Sequence, residues 1–436
     1  MIGQVSMDAR RIEYGNIGNY YVVQGFFREL RRVFPEKDVE IFTTLQLTPV
    51  FCDQVKIVSV PLEHYYDCGQ VDAVQQSLRE YSLSCNYAEG IETPFISLVM
   101  ESDLVIDFSG DIWGSNANLL GKDRFVNGCL KNLIVKELGV PQVLMSSSPG
   151  PFDEEHKILA HLALQSFDII INRESESRKV LASFFEPEDN RIVDGACPAF
   201  LYETNNYWDE EKVLSGFGSV PELPEGEVVG LILCGFNFET GPHDLWPREN
   251  SDYKVFVDLV RNIIDQFNVE ILLFSHSNGF VMPPDAFQIQ KGSDFKHAKK
   301  LYELVGRNYQ GKVMLAEEIL TPNDTFRLIS KLDFLISGRI HGAVAGFVNA
   351  TPTIVLDYGH PPAAHKLVGF VKEIGMDEML VSPNNSIGLF DLFSSKWKER
   401  MLIKNRLRKN LLITQDKVRQ SFDLLKPLLD RYNTPS

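Results

Sequence analysis

Asp333-Phe334-Leu335-Ile336-Ser337-Gly338-Arg339-Ile340-His341-Gly342 is the stretch on which the reading of this chain turns. Asp333 to Ile336 is a short apolar run of strand length, and Ala343-Val344-Ala345-Gly346-Phe347-Val348 behind it reads as the start of a packed helix. A cation and an imidazole two residues apart, Arg339 and His341, then lie outside the carboxyl end of a buried strand. Open α/β sheets bind their ligands there.

The same alternation extends in both directions. Val39 to Thr43, Leu104 to Phe108, Gln142 to Met145 and Asp168 to Ile171 read as strands, with helical stretches such as Val22 to Val33 and Phe125 to Leu138 between them. After Ile192-Val193-Asp194 the pattern breaks into Tyr202 to Glu227, rich in Pro, Gly, Asn and acidic residues. A second series follows with Val228 to Leu233, Glu270 to Phe274, Lys312 to Leu315, Phe334 to Ile336 and Thr353 to Leu356. The expected fold class is therefore α/β, with two Rossmann-like domains whose mainly parallel sheets face a central cleft. Residues 1–200 form the first domain, 201–227 the connection, 228–395 the second domain and 396–436 a basic amphipathic helical segment.

A chain of 436 residues suits two cores of about 200 residues each. The net charge of −16 argues against a nucleic-acid partner, whose phosphates demand a basic face. No run of about 18 apolar residues appears, and Met1-Ile2-Gly3-Gln4 lacks the pattern of a signal peptide, so the expected location is cytoplasmic. Cys52, Cys68, Cys85, Cys129, Cys197 and Cys234 are scattered without CxxC spacing, which points to buried small side chains rather than a disulfide framework or a metal site. One segment opposes the overall charge. Lys396 to Arg419 sets nine cations against Glu399 and Asp416, with Trp397, Met401, Ile403, Leu407, Leu411 and Leu412 interleaved. It reads either as a packed helix with a solvated basic face or as a contact with a lipid-linked acceptor or, peripherally, with the inner face of an anionic membrane.

Several loops accompany the opening motif. Gly15-Asn16-Ile17-Gly18-Asn19 precedes a helix expected to begin near Tyr21; it is either a turn or an anion cradle at a helix N-terminus. Asp111, in Ser109-Gly110-Asp111, follows a strand and either orients a sugar hydroxyl or caps the next segment. Ser148 lies in the rigid Ser146-Ser147-Ser148-Pro149-Gly150-Pro151-Phe152 loop. Arg173 follows the strand ending at Ile171, placed either for a local salt bridge with Glu174 or Glu176 or for bidentate capture of a carboxylate or phosphate. His276 follows the strand ending at Phe274, and Lys366 follows the last strong strand.

Taken in order, these motifs resemble the polysaccharide pyruvyl transferase family over most of the chain, from the Gly-Asn loop to Lys366. Its Gly-Asn-x-Gly-Asp loop is matched by Gly15 to Asn19, Ser-Ile-Gly-Pro-Phe by Ser148 to Phe152, Val-Arg-Asp-x-x-Ser by Asn172 to Ser177, and Ser-x-Arg-Leu-His by Ser337 to His341. Ala350-Thr351-Pro352, Asp357-Tyr358 and Lys366 follow in register. The resemblance implies a GT-B-like fold and transfer of an enolpyruvyl unit from phosphoenolpyruvate to a sugar or lipid-linked oligosaccharide, forming a pyruvate ketal. Phosphoenolpyruvate is a co-substrate, and neither a cofactor nor a metal is expected. The resemblance makes Arg173, Arg339 and Lys366 the donor-binding cations and Arg339 and His341 the catalytic residues, His341 as general acid and base. Asn16, Gly18, Asn19, Asp111, Ser148 and His276 are the acceptor-side candidates. The chain departs from the family at Asn19 and Cys197, each standing in place of Asp, and at Ser109-Gly110-Asp111, in place of a triple glycine. A nucleotide-sugar glycosyltransferase and a non-catalytic glycan or anion binder are the rival readings.

Overall fold

The computed structural model describes residues 12–13, 16–35, 40–43, 56–60, 73–86, 93–108, 110, 113, 122–186, 189–204, 218–281, 289–306, 309, 311–359 and 364–433. In chain order the strands are β1 (Ile12–Glu13), β2 (Glu40–Thr43), β3 (Lys56–Ser59), β4 (Val105–Asp107), β5 (Gln142–Ser147), β6 (Ile169–Asn172), β7 (Ile192–Asp194), β8 (Val228–Ile232), β9 (Glu270–Leu273), β10 (Asn278–Val281), β11 (Ile289–Lys291), β12 (Val313–Leu315), β13 (Phe334–Ser337), β14 (Thr353–Leu356) and β15 (Leu380–Val381). The helices are α1 (Ile17–Val33), α2 (Ala73–Cys85), α3 (Pro94–Met100), α4 (Lys122–Glu137), α5 (Lys157–Gln165), α6 (Ser175–Leu181), α7 (Lys254–Phe267), α8 (Ser293–Val305), α9 (Pro322–Ser330), α10 (Ile340–Val348), α11 (His365–Glu373), α12 (Ser386–Lys398), α13 (Arg400–Asp423) and α14 (Leu425–Asn433).

The continuous apolar runs become strands covered on both faces, since a parallel sheet carries helices on each side. β5, β6, β8, β13 and β14 are buried at every residue. The chain forms two compact units. Among the described residues one comprises 27–197 and 416–433, the other 12–26 and 198–415. Linear pattern alone divides the chain near residue 200; the structure adds an exchange at each end, with the first turns of α1 in the second unit and the last turns of α13 in the first.

In the first unit β4, β5, β6 and β7 lie side by side in sequence order, all parallel. Trp113 anchors the core beside this sheet, edge-on to Phe125 and Phe167 at 5.8 Å each. Among the described residues, β2 and β3 pair separately, in parallel.

The second unit holds a six-stranded parallel sheet in the order β12-β9-β8-β13-β14-β15. From β8 the chain moves outward through β9 to β12, then returns to β13 and proceeds the other way. β8 and β13 are therefore neighbours, in register from Phe334 opposite Val229 to Ser337 opposite Ile232. The loops after them flank a topological switch point. An antiparallel trio, β1-β10-β11, accompanies this sheet. On another side, Phe393 and Trp397 of α12 pack against Phe334 at 5.1 and 6.1 Å, each burial contributing about 1.5–3 kcal/mol.

Two expectations change. The basic segment from Lys396 is not one helix, because Glu399 caps α12 and α13 begins at Arg400. Cys129, Cys197 and Cys234 are buried as expected, whereas Cys85 is exposed.

Candidate functional site

At the switch point the loops after β8, β13 and β14 are tied directly to one another. The Cys234 thiol donates to the Gly338 carbonyl at 3.1 Å, and the Asn237 side chain accepts from the Cys234 N–H at 2.9 Å. Asn237 also donates to the Asp357 carbonyl at 3.3 Å, and the Gly359 N–H donates to the Phe236 carbonyl at 2.8 Å. Only glycine fits at position 338, since a Cβ there would lie 1.9 Å from the Asn237 side-chain oxygen. Above this floor Phe236 stacks between His243 and Tyr358, with centroids 4.6 Å away on each side. Burial pushes the Asp357 carboxyl above its ordinary range, against the Tyr358 N–H that donates to it at 2.7 Å.

Arg339 leaves this floor as the extended residue that caps α10, and it does not stand alone. Its Nε donates to Asp294 at 2.9 and 3.2 Å, and one terminal nitrogen, Nη2, donates at 2.6 Å. Asp294, in the first turn of α8, is fully buried, while the arginine side chain keeps 17% of its exposure. The buried carboxylate holds the guanidinium's affinity for its proton above the ordinary value even though burial opposes charge. It also offsets much of the positive charge available to a ligand. One turn further along α8, His297 is buried beneath Phe238 and Trp246, with Nδ1 2.9 Å from the Tyr253 hydroxyl. Burial first, then Lys296, Arg248 and Arg339, lowers its pKa to about 3.

His341 occupies the first turn of α10 and is 6% exposed. The first turn of α1 packs directly on its ring. A Cβ at Gly18 would lie 2.1 Å from His341 Cβ and 2.5 Å from Nδ1, so position 18 requires glycine. This pairing joins two motifs more than 300 residues apart in sequence. α1 begins at Ile17 rather than near Tyr21, which places Gly18 and Asn19 inside the helix. The Ile17 N–H donates to the His276 carbonyl at 3.2 Å, Gly18 to the Asn16 side chain at 3.0 Å and Asn19 to the Asn16 carbonyl at 3.0 Å. These three donors are thus committed to the protein, which favours the capped turn over the anion cradle.

His276 itself is wholly buried, edge-on to Tyr21 at 5.6 Å. Apart from its own carbonyl, neither ring nitrogen meets a partner among the described residues. Burial first, then the Arg339 charge, lowers its pKa to about 3, so the ring is neutral at ordinary pH. Lys366 lies in the first turn of α11, 7% exposed, its amine 5.9 Å from the Tyr358 ring. Phe370, four residues on and hence on the same face, meets His341 edge-on at 6.2 Å. The second unit therefore gathers Asn16, Gly18, Asn19, His276, Arg339, His341 and Lys366 around the carboxyl end of its sheet.

Arg173 and Ser148 meet in the first unit. Arg173 follows β6, is 5% exposed, and its Nε donates to the Ser148 hydroxyl at 2.7 Å. Ser146, at the end of β5, takes a left-handed conformation with φ of 52°, a strained turn that redirects the loop carrying Ser148. Glu174 caps α6 by accepting from the Glu176 and Ser177 N–H groups, and Glu176 pairs with Lys179 at 2.7 Å. Asp111 lies outside the described residues, as do Ser109 and Gly15. Gly110 is described, and a Cβ there would sit 3.6 Å from an Arg173 terminal nitrogen.

Sequence reasoning did not find Asp294 or His297. An Asp in the first turn of a helix has the signature of a capping residue, and only the pairing with Arg339 reveals another use. Among the described residues no group of three or more His, Cys, Asp or Glu side chains is arranged to hold a metal.

The family model for polysaccharide pyruvyl transferases matches residues 16–360, and the chain belongs to that family. Its fold is similar to the crystal structure of a glycosyltransferase from Rickettsia africae ESF-5, with TM-score 0.53 at 12% identity over 95% of this chain and 97% of that one. It is also similar to UDP-GlcNAc 2-epimerase from Neisseria meningitidis bound to UDP-GlcNAc, with TM-score 0.54 at 10% identity over 94% and 96%. The corresponding epimerase from Methanocaldococcus jannaschii gives 0.52 at 13% identity over 93% and 96%. The fold is GT-B-like, and at these identities the likeness carries the fold alone. No helix among the described residues is long and apolar enough to cross a membrane.

Proposed function

We propose that this member of the polysaccharide pyruvyl transferase family transfers an enolpyruvyl unit from phosphoenolpyruvate to two hydroxyls of a sugar, or of a lipid-linked oligosaccharide, as a cyclic ketal. The observation that carries the reading is the joining of the Asn16–Asn19 turn and the Ser337–His341 motif on one imidazole, within a chain that matches the family throughout that span. Such a reaction needs a proton delivered to the methylene carbon, attack of a first hydroxyl on the ketal carbon, departure of phosphate and attack of a second hydroxyl. Of the two hydroxyl protons lost, one balances the new methyl group and the other leaves with phosphate. His341 is assigned as the general acid and base of these transfers.

The donor carries a carboxylate and a phosphate, and within the second unit Arg339 and Lys366 are the cations assigned to meet them. Asp294 already engages Nε and one terminal nitrogen of Arg339, so its role is to aim a rigid guanidinium whose Nη1 has no partner among the described residues. Lys366 and the positive end of the α10 dipole then supply the net positive field. His276, neutral and buried, supports the turn beneath the site.

The test is incubation with phosphoenolpyruvate and a panel of soluble glycosides, following phosphate release and product mass. Acceptor-dependent phosphate release with a pyruvate ketal in the product is expected. Turnover of nucleotide sugars instead, with nucleotide release, would place the chain among glycosyltransferases; binding of phosphoenolpyruvate without turnover would make it a ligand-binding member.

A further inference from the structure

The basic segment near the C-terminus takes a definite shape once its helix boundaries are known. Ile403, Leu407, Thr414 and Val418 of α13 are buried and, with Asn410 between them, follow a three-four repeat that seats the helix on the body. The opposite face is unusual for a solvent face. Met401, Leu402, Leu412 and Ile413 are 65%, 71%, 62% and 56% exposed, and all four are large and apolar. At about 100° per residue they fall with Asn405, Arg408, Lys409 and Asp416 inside an arc of about 140°, directly opposite the buried seam.

Charge on this face is also resolved. Of the segment's cations, Lys396 pairs with Glu399 at 3.1 Å, Arg400 with Glu227, Arg406 with Glu378, and Arg419 with Asp416 at 3.0 Å. Arg408 and Lys409 are exposed and have no acidic partner within ion-pair distance among the described residues. They lie midway between the apolar pair Met401–Leu402 and the apolar pair Leu412–Ile413. In a chain of net charge −16, two unpaired cations flanked by four exposed apolar side chains are a local inversion of the whole surface.

We propose that this face of α13 docks on an anionic lipid surface, with Met401, Leu402, Leu412 and Ile413 entering the headgroup boundary and Arg408 and Lys409 meeting lipid phosphates. Charge complementarity selects this occupant. A neutral protein partner has no use for the central cations, and a second copy of an acidic chain would bring the same unpaired cations face to face. The proposal is independent of the reaction assigned above, since its readout needs no turnover.

Co-sedimentation of the full chain with vesicles of phosphatidylcholine alone, and of phosphatidylcholine with an equal part of phosphatidylglycerol, tests it. Partition onto the anionic vesicles is expected, falling as salt is raised. Arg408→Glu with Lys409→Glu should reduce it about tenfold or more, and Leu412→Glu with Ile413→Glu by a similar factor. Both pairs are exposed, so circular dichroism and thermal midpoint should match wild type and exclude misfolding as the cause. Equal partition onto both vesicle types, no partition at all, or retention in both variants would overturn the proposal. So would a concentration-dependent dimer that Leu412→Glu with Ile413→Glu abolishes, which would give the face to a second copy.

Discussion

Arg173 and Arg339 occupy matching places in two parallel sheets. Each emerges from the carboxyl end of a wholly buried strand, β6 or β13, and each has its Nε fixed by another side chain. Their holders differ: a serine hydroxyl for Arg173, a buried carboxylate for Arg339. The sheets differ as well. β4 to β7 run in sequence order, whereas the six-stranded sheet reverses at β8 and β13, opening a crevice where three loops meet. Position along a strand sets where a cation emerges, while the partner that arrives from elsewhere sets its charge and rigidity. A hydroxyl brings no charge to the guanidinium it orients, whereas a buried carboxylate orients the group and offsets its charge together.

That difference is open to direct attack. The largest effect is expected from Asp294→Ala, which leaves a largely enclosed guanidinium without its counter-charge; urea unfolding should show a loss of about 3 kcal/mol or more. The same variant should raise KM for the donor, and an unchanged unfolding curve would mean that the pair is not formed. Ser148→Ala removes one charge-assisted hydrogen bond and should cost about 2 kcal/mol by the same measurement. If it cost more than Asp294→Ala, the ranking of hydroxyl and carboxylate would be reversed. Taken per unit of pH, the smallest effect comes from two buried histidines. His276 and His297 titrate at about 3 in the folded chain and near 6.5 when unfolded, so the unfolded chain holds the extra protons between these values. Stability is full above about 6.5 and falls as pH drops, by about 1.4 kcal/mol per unit for each histidine. His276→Leu should flatten the slope of unfolding free energy against pH by one such contribution, and an unaltered slope would show the imidazole to be charged or solvated.

Much of this molecule was legible in the sequence because parallel strands announce themselves as apolar runs. The apolar runs coincide with Thr353–Leu356 at both bounds, and with Val228–Ile232 and Phe334–Ser337 to within a residue. β10 and β11 escaped, since Asn278–Val281 and Ile289–Lys291 are short and lack alternation. The start of α1 is hidden in the pattern because Gly18 and Asn19 are poor helix formers that look like loop, and it is packing on His341 that sets position 18. Local pattern therefore located Arg339 and His341 but not Asp294, which comes from a separate helix 45 positions away. The exchange of both chain ends between the units is likewise a matter of long-range packing that periodicity does not encode.

The most direct measurement is the rate of phosphate release from phosphoenolpyruvate with a soluble glycoside acceptor, in wild type and in a folded His341→Ala variant. Release should depend on the acceptor and fall by about 100-fold or more when the imidazole is removed. Equal rates in the two proteins, or no release from wild type alongside turnover of a nucleotide sugar, would contradict it.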